Sequence, residues 1–331
     1  MMIEQAVTET AVSSPPILSA QNLRKSYNNI PALRGLTFAL QAGHILGFLG
    51  PNGAGKTTAI RILTTIFESS SGEFSVDGVS SQYPAQIRRK IGVLPESLGF
   101  PKQMTAVEYL TYFGQHYGRS AATAKATATD LLAEVGLAQR ANSLIGSYSR
   151  GMRQRLGIAR TLVNDPVVVF LDEPTLGLDP RGQQELLTLI RRIARQRQAG
   201  VILCSHLLTE VEEVCDDVVI LRQGRVVASG TVAEVLQNAH RSVMRVHVPE
   251  TWISQAQQQL TALPQVTAVT AANGKTGWLD IQLTDAAVAD PYPANNLLNT
   301  LIKATIPVLN FDAGNGRLQD VFFQLTEEAN A

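Results

Sequence analysis

The sequence predicts an α/β core with a largely parallel sheet, an α-helical insert within that core, and a smaller α+β domain of the split-βαβ (ferredoxin-like) plan behind it. Three observations lead there. Residues 45–49, 167–171, 201–204 and 218–221 are short apolar runs without alternation, as strands covered on both faces require. Between the first and second of these runs, residues 104–164 carry only helical patterns. After about residue 238 the order becomes strand (242–248), helix (252–263), strand (266–271), strand (277–283), helix (294–304), strand (306–312), helix (318–326), which is the split-βαβ plan plus a final helix.

Taken in order, residues 1–16 lack periodicity and end in Ser-Ser-Pro-Pro, a lead-in without a core of its own. The core domain spans 17–237, with the insert at about 100–164, and the accessory domain spans 238–331. Within the insert, Thr105 and Glu108 form a capping box that opens a helix. Ser149 precedes a run with apolar Met152, Leu156, Ala159 and Val163, and so is placed as an N-cap. The last run, with Leu318, Val321, Phe322 and Leu325 on one side, predicts an amphipathic helix.

The 331 residues hold 28 basic and 28 acidic side chains, so no global positive field exists to attract a polyanion, and nucleic acid is not expected as a partner. Arginine-rich stretches at 88–90 and 191–197 lack interleaved aromatics and read as solvated helix faces. Two cysteines, Cys204 and Cys215, suggest neither a disulfide framework nor a zinc site, and are expected to pack. No apolar h-region and no run of about 18 apolar residues occurs, so neither a secretory signal nor a spanning helix is expected.

The chemistry is concentrated in two motifs. Gly50-Pro51-Asn52-Gly53-Ala54-Gly55-Lys56-Thr57 satisfies G-x-x-x-x-G-K-[ST] directly after the strand ILGFL and before a helical stretch through Phe67. Such a loop aims backbone amides at phosphates, and the helix N-terminus adds positive potential. Lys56 supplies a charge for the β and γ phosphates, and Thr57 can place its hydroxyl on Mg²⁺; Thr58 completes the candidate contacts. The second motif is the apolar run 167–171 followed by Asp172 and Glu173. An acid ending such a strand is placed to hold Mg²⁺ opposite the loop, so Asp172 is the metal-side acid. Glu173 is then placed to orient and deprotonate the attacking water.

With these motifs the chain resembles, over about residues 17–237, the nucleotide-binding subunit of ATP-binding cassette (ABC) transporters. Tyr27 matches the aromatic on which that family stacks adenine. The run 91–96 matches the Q-loop, with Glu96 where the family usually has glutamine and where an acid can still serve the Mg²⁺ side or the water. Tyr148-Ser149-Arg150-Gly151-Met152 matches the LSGGQ signature, keeping the serine and second glycine and losing the first glycine and the glutamine. Gly177-Leu178-Asp179 matches the D-loop, and His206 the switch histidine that contacts the γ phosphate. The resemblance implies ATP and Mg²⁺ as ligands. It also implies a head-to-tail dimer, with each ATP held between the loop of one copy and Ser149 and Gly151 of the other.

The closing run 316–326 resembles the ending of ATPase subunits in ABC-2 type exporters, with Gln319 in place of the more usual glutamate. This resemblance implies an export role on the cytoplasmic face of the plasma (inner) membrane. The partners would be a separately encoded ABC-2 type transmembrane permease and a second copy of the chain, or a paralogous ATPase. A soluble ABC ATPase acting on ribosomes or DNA is the alternative. Such proteins typically carry two cassettes or long coiled coils, and this chain has one cassette and no sustained heptads.

Overall fold

The computed structural model describes residues 15–205, 207–240, 243–272, 276–284, 287, 293–312 and 318–327. Two compact units meet at Ser229 and Gly230.

The first unit holds two sheets. Strands β1 (Leu18–Tyr27), β2 (Ile30–Leu40), β4 (Ser71–Val76) and β5 (Val79–Ser80) form an antiparallel sheet in the order β2-β1-β4-β5. Its hairpins turn on Asn28-Asn29, with φ of 46° and 66°, and on Asp77-Gly78, with φ of 48° and 73°. Two successive left-handed residues make the tight turn whose twist matches the flanking strands. The second sheet runs β10-β9-β3-β8-β7-β6 and is parallel from β9 through β6. Its strands are β3 (Ile45–Leu49), β6 (Ile91–Leu94), β7 (Val168–Asp172), β8 (Gly200–Cys204), β9 (Asp217–Arg222) and β10 (Arg225–Thr231). Every residue of β3 and β8 is buried, and β7 is buried up to Asp172, as the apolar runs require.

One core joins the sheets. Leu18, Leu36 and Leu40 of the antiparallel sheet belong to the same cluster as Phe48, Phe170 and Ile202 of the parallel one, and the rings of Phe38 and Phe48 meet edge to face at 5.1 Å. Helix α2 (Pro84–Lys90) leads into β6, and the insert that follows is helical: α3 (Ala106–His116), α4 (Ala121–Glu134) and α5 (Arg150–Leu162). The Thr105 capping box is present in both directions, with Glu108 N–H donating to Thr105 Oγ1 at 3.3 Å and Thr105 N–H donating to Glu108 Oε2 at 2.9 Å. Helix α5 lies tight on β6, because a Cβ added to Gly92 would stand 2.3 Å from the Thr161 carbonyl oxygen.

Three expectations are corrected. The helix after the glycine loop, α1 (Lys56–Leu63), stops before Phe67, because Thr64 turns its hydroxyl back to the Ile60 carbonyl at 2.7 Å and Thr65 takes a left-handed φ of 62°. Residues 91–94, read from the sequence only as part of a loop motif, form the edge strand β6. In the second unit, the strand expected from residue 306 begins at Asn310, after Pro307, which has no N–H to donate to a ladder.

The second unit has its own core, with Met244, Val246, Leu279 and Ile281 buried against Ala256, Leu260, Leu297 and Leu301. Strands β11 (Val243–His247), β12 (Val266–Ala271), β13 (Trp278–Leu283) and β14 (Asn310–Asp312) run antiparallel in the order β12-β13-β11-β14. The first strand thus lies between the third and fourth, the split-βαβ order, with helices Ile253–Thr261 and Pro293–Lys303 in the crossovers. In the last helix, Leu318–Glu327, Leu318 and Val321 are buried while Phe322 and Leu325 are half-buried.

Gly92→Ala is expected to destabilise the first unit by about 1–3 kcal/mol, since the added methyl meets backbone and not a movable side chain. Equilibrium urea unfolding followed by circular dichroism reads this as a lower midpoint with an unchanged slope.

Candidate functional site

The parallel register brings the sequence motifs to one edge. Phe48 of β3 and Asp172 of β7 both pair with Cys204 of β8, so the glycine loop, the two acids and the segment after Cys204 emerge side by side at the carboxyl ends of the strands. Leu94 of β6 pairs with Leu171, which sends the chain toward Glu96 out of the same edge.

The glycine loop is fixed by close packing. Gly55 has a φ of 107°, and a Cβ there would stand 2.7 Å from the Ala32 carbonyl oxygen and 2.9 Å from Leu33. At Gly53 no described residue comes within 4 Å of such an atom. The Lys56 ammonium lies over the loop, donating to the Gly50 carbonyl and, at 3.2 Å, to that of Pro51. Burial lowers the Lys56 pKa, while Cys204, Glu173 and Asp172 pull it back up. Burial likewise raises the Asp172 pKa, Glu96 raises it further, and Lys56 and Arg61 oppose the rise. Lys56, Asp172, Glu173 and Glu96 are therefore electrostatic neighbours. Glu173 adopts a left-handed φ of 48°, and its N–H donates to the Cys204 carbonyl at 2.9 Å. Burial raises the Cys204 and Cys215 thiols well above their ordinary value, which makes them packing groups.

The remaining predicted residues fall around this centre. Thr57 is exposed and Thr58 and Ala54 sit on the loop-to-helix junction, where no side chain caps α1. Asn52 is exposed on the loop. Tyr27 closes the first hairpin with its ring 41 % exposed, edge-on to Phe67 at 6.2 Å and with the Lys25 ammonium 5.5 Å from its centre. Ser149 caps α5, accepting from Met152 N–H at 3.2 Å, and remains exposed. Among the described residues, a Cβ added at Gly151 would meet only Leu178, at 3.8 Å. Asp179 caps α6 (Pro180–Arg197) by accepting from Gly182 N–H at 3.3 Å. His206 lies outside the described residues.

Two sets of contacts escaped the sequence reading. Arg150, where the signature pattern has glycine, covers Gly177, so that a Cβ there would stand 2.5 Å from its guanidinium carbon. Glu210, on α7 (Leu208–Val214), is buried and accepts from both Thr175 and Ser205. An acid beside Val211 and Val214 on the apolar side of a short helix was the available signal.

Strand, glycine loop and helix in that order, with acids at the end of the next strand but one in the parallel sheet, define a P-loop nucleoside triphosphatase. Comparison narrows the class. Residues 33–176 match the family model described as ABC transporter. The uncharacterized ABC transporter ATP-binding protein YxlF of Bacillus subtilis is 32 % identical over 309 residues, 93 % of this chain and 99 % of that one. Nod factor export ATP-binding protein I of Ralstonia nicotianae is 32 % identical over 320 residues, 95 % of each chain. A solved ATP-binding subunit of an ABC transporter superposes with a TM-score of 0.59 at 31 % identity, covering 67 % of this chain and 92 % of its own. The chain belongs to the ATP-binding proteins of ABC transporters and is an ATPase.

Gly55→Ala is expected to abolish measurable ATP binding, because the loop cannot keep its turn with a Cβ against the Ala32 carbonyl. Titration with a fluorescent ATP analogue, with circular dichroism to establish that the variant is folded, checks this.

Proposed function

We propose that this chain is the ATP-hydrolysing subunit of an ABC-2 type exporter, peripheral on the cytoplasmic face of the plasma (inner) membrane. It pairs head to tail with a second copy or a paralogous ATPase and drives a separately encoded transmembrane permease. The observation that carries the reading is the pair of half-sites in one chain. Lys56, Asp172, Glu173 and Glu96 interact at one sheet edge, while Ser149 and Gly151 present a capped helix start whose open side meets, among the described residues, only Leu178. A second chain is the economical source of a nucleotide for that helix start. The Nod factor export relative, similar along 95 % of its length, supports the export role.

In this reading the exposed ring of Tyr27 stacks on adenine, and the loop from Gly50 to Thr58 wraps the phosphates with its amides. Lys56 leaves its loop carbonyls for the β and γ phosphates. Thr57, Asp172 and Glu96 offer only oxygen donors, which is what Mg²⁺ takes, and the ion when bound offsets phosphate charge. Glu173 accepts a proton from the water that attacks the γ phosphorus, and the bond to the bridging oxygen breaks to leave ADP and phosphate. His206 contacts the γ phosphate, and Asp179, by capping α6, holds the D-loop toward the partner's site. Loss of the shared γ phosphate loosens the dimer, which turns hydrolysis into motion.

Glu173→Gln is expected to lower the hydrolysis rate by more than about 100-fold. It should also trap a dimer with ATP and Mg²⁺, read by light scattering, while the nucleotide-free protein stays monomeric. Purified from detergent-solubilised host membranes, the trapped protein should bring a membrane-spanning permease with it. A monomer under all conditions contradicts the dimer, and recovery only with ribosomes or DNA contradicts the transport role.

A further inference from the structure

Glu210 is a core carboxylate for which the hydrolytic scheme has no use. It is 5 % exposed, and its Oε2 accepts from Thr175 Oγ1 and from Ser205 Oγ, each at 2.8 Å. Its Oε1 is buried and has no hydrogen-bond partner among the described residues. A buried acceptor left unsatisfied is costly to keep, and such an atom calls for an explanation.

The two hydroxyls belong to the two segments that matter for chemistry. Thr175 is 1 % exposed and lies two residues after Glu173, in the segment leaving β7. Ser205 is 2 % exposed, follows Cys204 at the end of β8, and precedes His206 in the chain. Ser205 Oγ also accepts from Leu207 N–H at 3.1 Å, so the same hydroxyl that donates to Glu210 fixes the entry to α7. The segments are joined a second time by Glu173 N–H donating to the Cys204 carbonyl. Glu173 itself is held at a φ of 48°, a conformation that a residue other than glycine keeps only where its surroundings over-determine it.

We propose that Glu210 is a positioning residue for hydrolysis: by taking both hydroxyls on one oxygen it locks the segment after Glu173 to the end of β8, and so holds Glu173 in its left-handed conformation with its carboxylate directed at the attacking water. The inference rests on the reading of Glu173 as the residue that accepts the water's proton. Glu210 touches neither nucleotide nor water in this scheme, so its removal should act on turnover and not on binding.

The test measures kcat and KM for ATP, together with the affinity for a fluorescent ADP analogue, in the full chain. The variants are Glu210→Ala, Glu210→Gln, Thr175→Ala, Ser205→Ala and the Thr175→Ala/Ser205→Ala double variant. Glu210→Ala should lower kcat by about tenfold or more while KM and analogue affinity stay within about twofold. Glu210→Gln keeps one oxygen able to accept both hydroxyls, and should recover most of the rate. Because the hydroxyls share that oxygen, the double variant should lose about as much as Glu210→Ala and less than the product of the single losses. If Glu210→Ala does not fold, the double variant, which removes only two hydroxyls and a methyl, carries the same test. A kcat within about twofold of the parent in the double variant, or a loss of analogue affinity equal to the loss of kcat, overturns the proposal. Glu173→Gln run in parallel separates the failures. Retained hydrolysis there removes the reading of Glu173, whereas lost hydrolysis there beside a normal double variant removes only the role of Glu210.

Discussion

The register of the parallel strands is the constraint on which the rest of the chain's chemistry depends. Because β3, β7 and β8 are buried on both faces, they can slide only by moving Asp172 into the core or a core residue out of it, so the ends at Leu49, Asp172 and Cys204 are set by burial. That places Lys56 where burial works against its charge while Cys204, Glu173 and Asp172 work for it. Asp172 is in the opposite position, disfavoured by burial and by Glu96 and favoured by Lys56 and Arg61. Lys56 and Asp172 thus offset part of each other's burial, while Glu96 adds to the negative charge beside Asp172.

Much of this was legible because the informative residues are neighbours in sequence. The glycine loop and the pair Asp172-Glu173 need a few residues of context each, and 45–49 is a strand by its unbroken apolar run alone. The antiparallel sheet was harder to read. In β1 the register shifts between Ala20 and Leu23 and again after Lys25, so the two-residue alternation that marks a half-covered strand is broken. The Asn28-Asn29 and Asp77-Gly78 turns were the missed signals. Glu210 shows the deeper limit, since Thr175 lies 35 residues from it in the chain and only the fold brings them to 2.8 Å.

The second unit was legible as an element order, and the sheet order follows from it. Val246 and Leu279 pair across β11 and β13 with both side chains in the core, while Arg245 and Asp280 pair on the other face with a 3.0 Å ion pair. The boundary falls at Ser229/Gly230, ahead of the sequence expectation at 237/238, because α8 (Val232–His240) packs on the closing helix Leu318–Glu327 of the second unit. This unit has a core of its own.

The central claim is that one chain holds two halves of different sites, the glycine loop with its acids and the Ser149-capped helix. Mixing two inactive variants, Lys56→Ala and Gly151→Asp, tests it most directly by ATPase rate. A head-to-tail pair of the two has one site with both halves intact, so the account predicts that hydrolysis returns on mixing. Mixtures as inactive as either variant alone would contradict it.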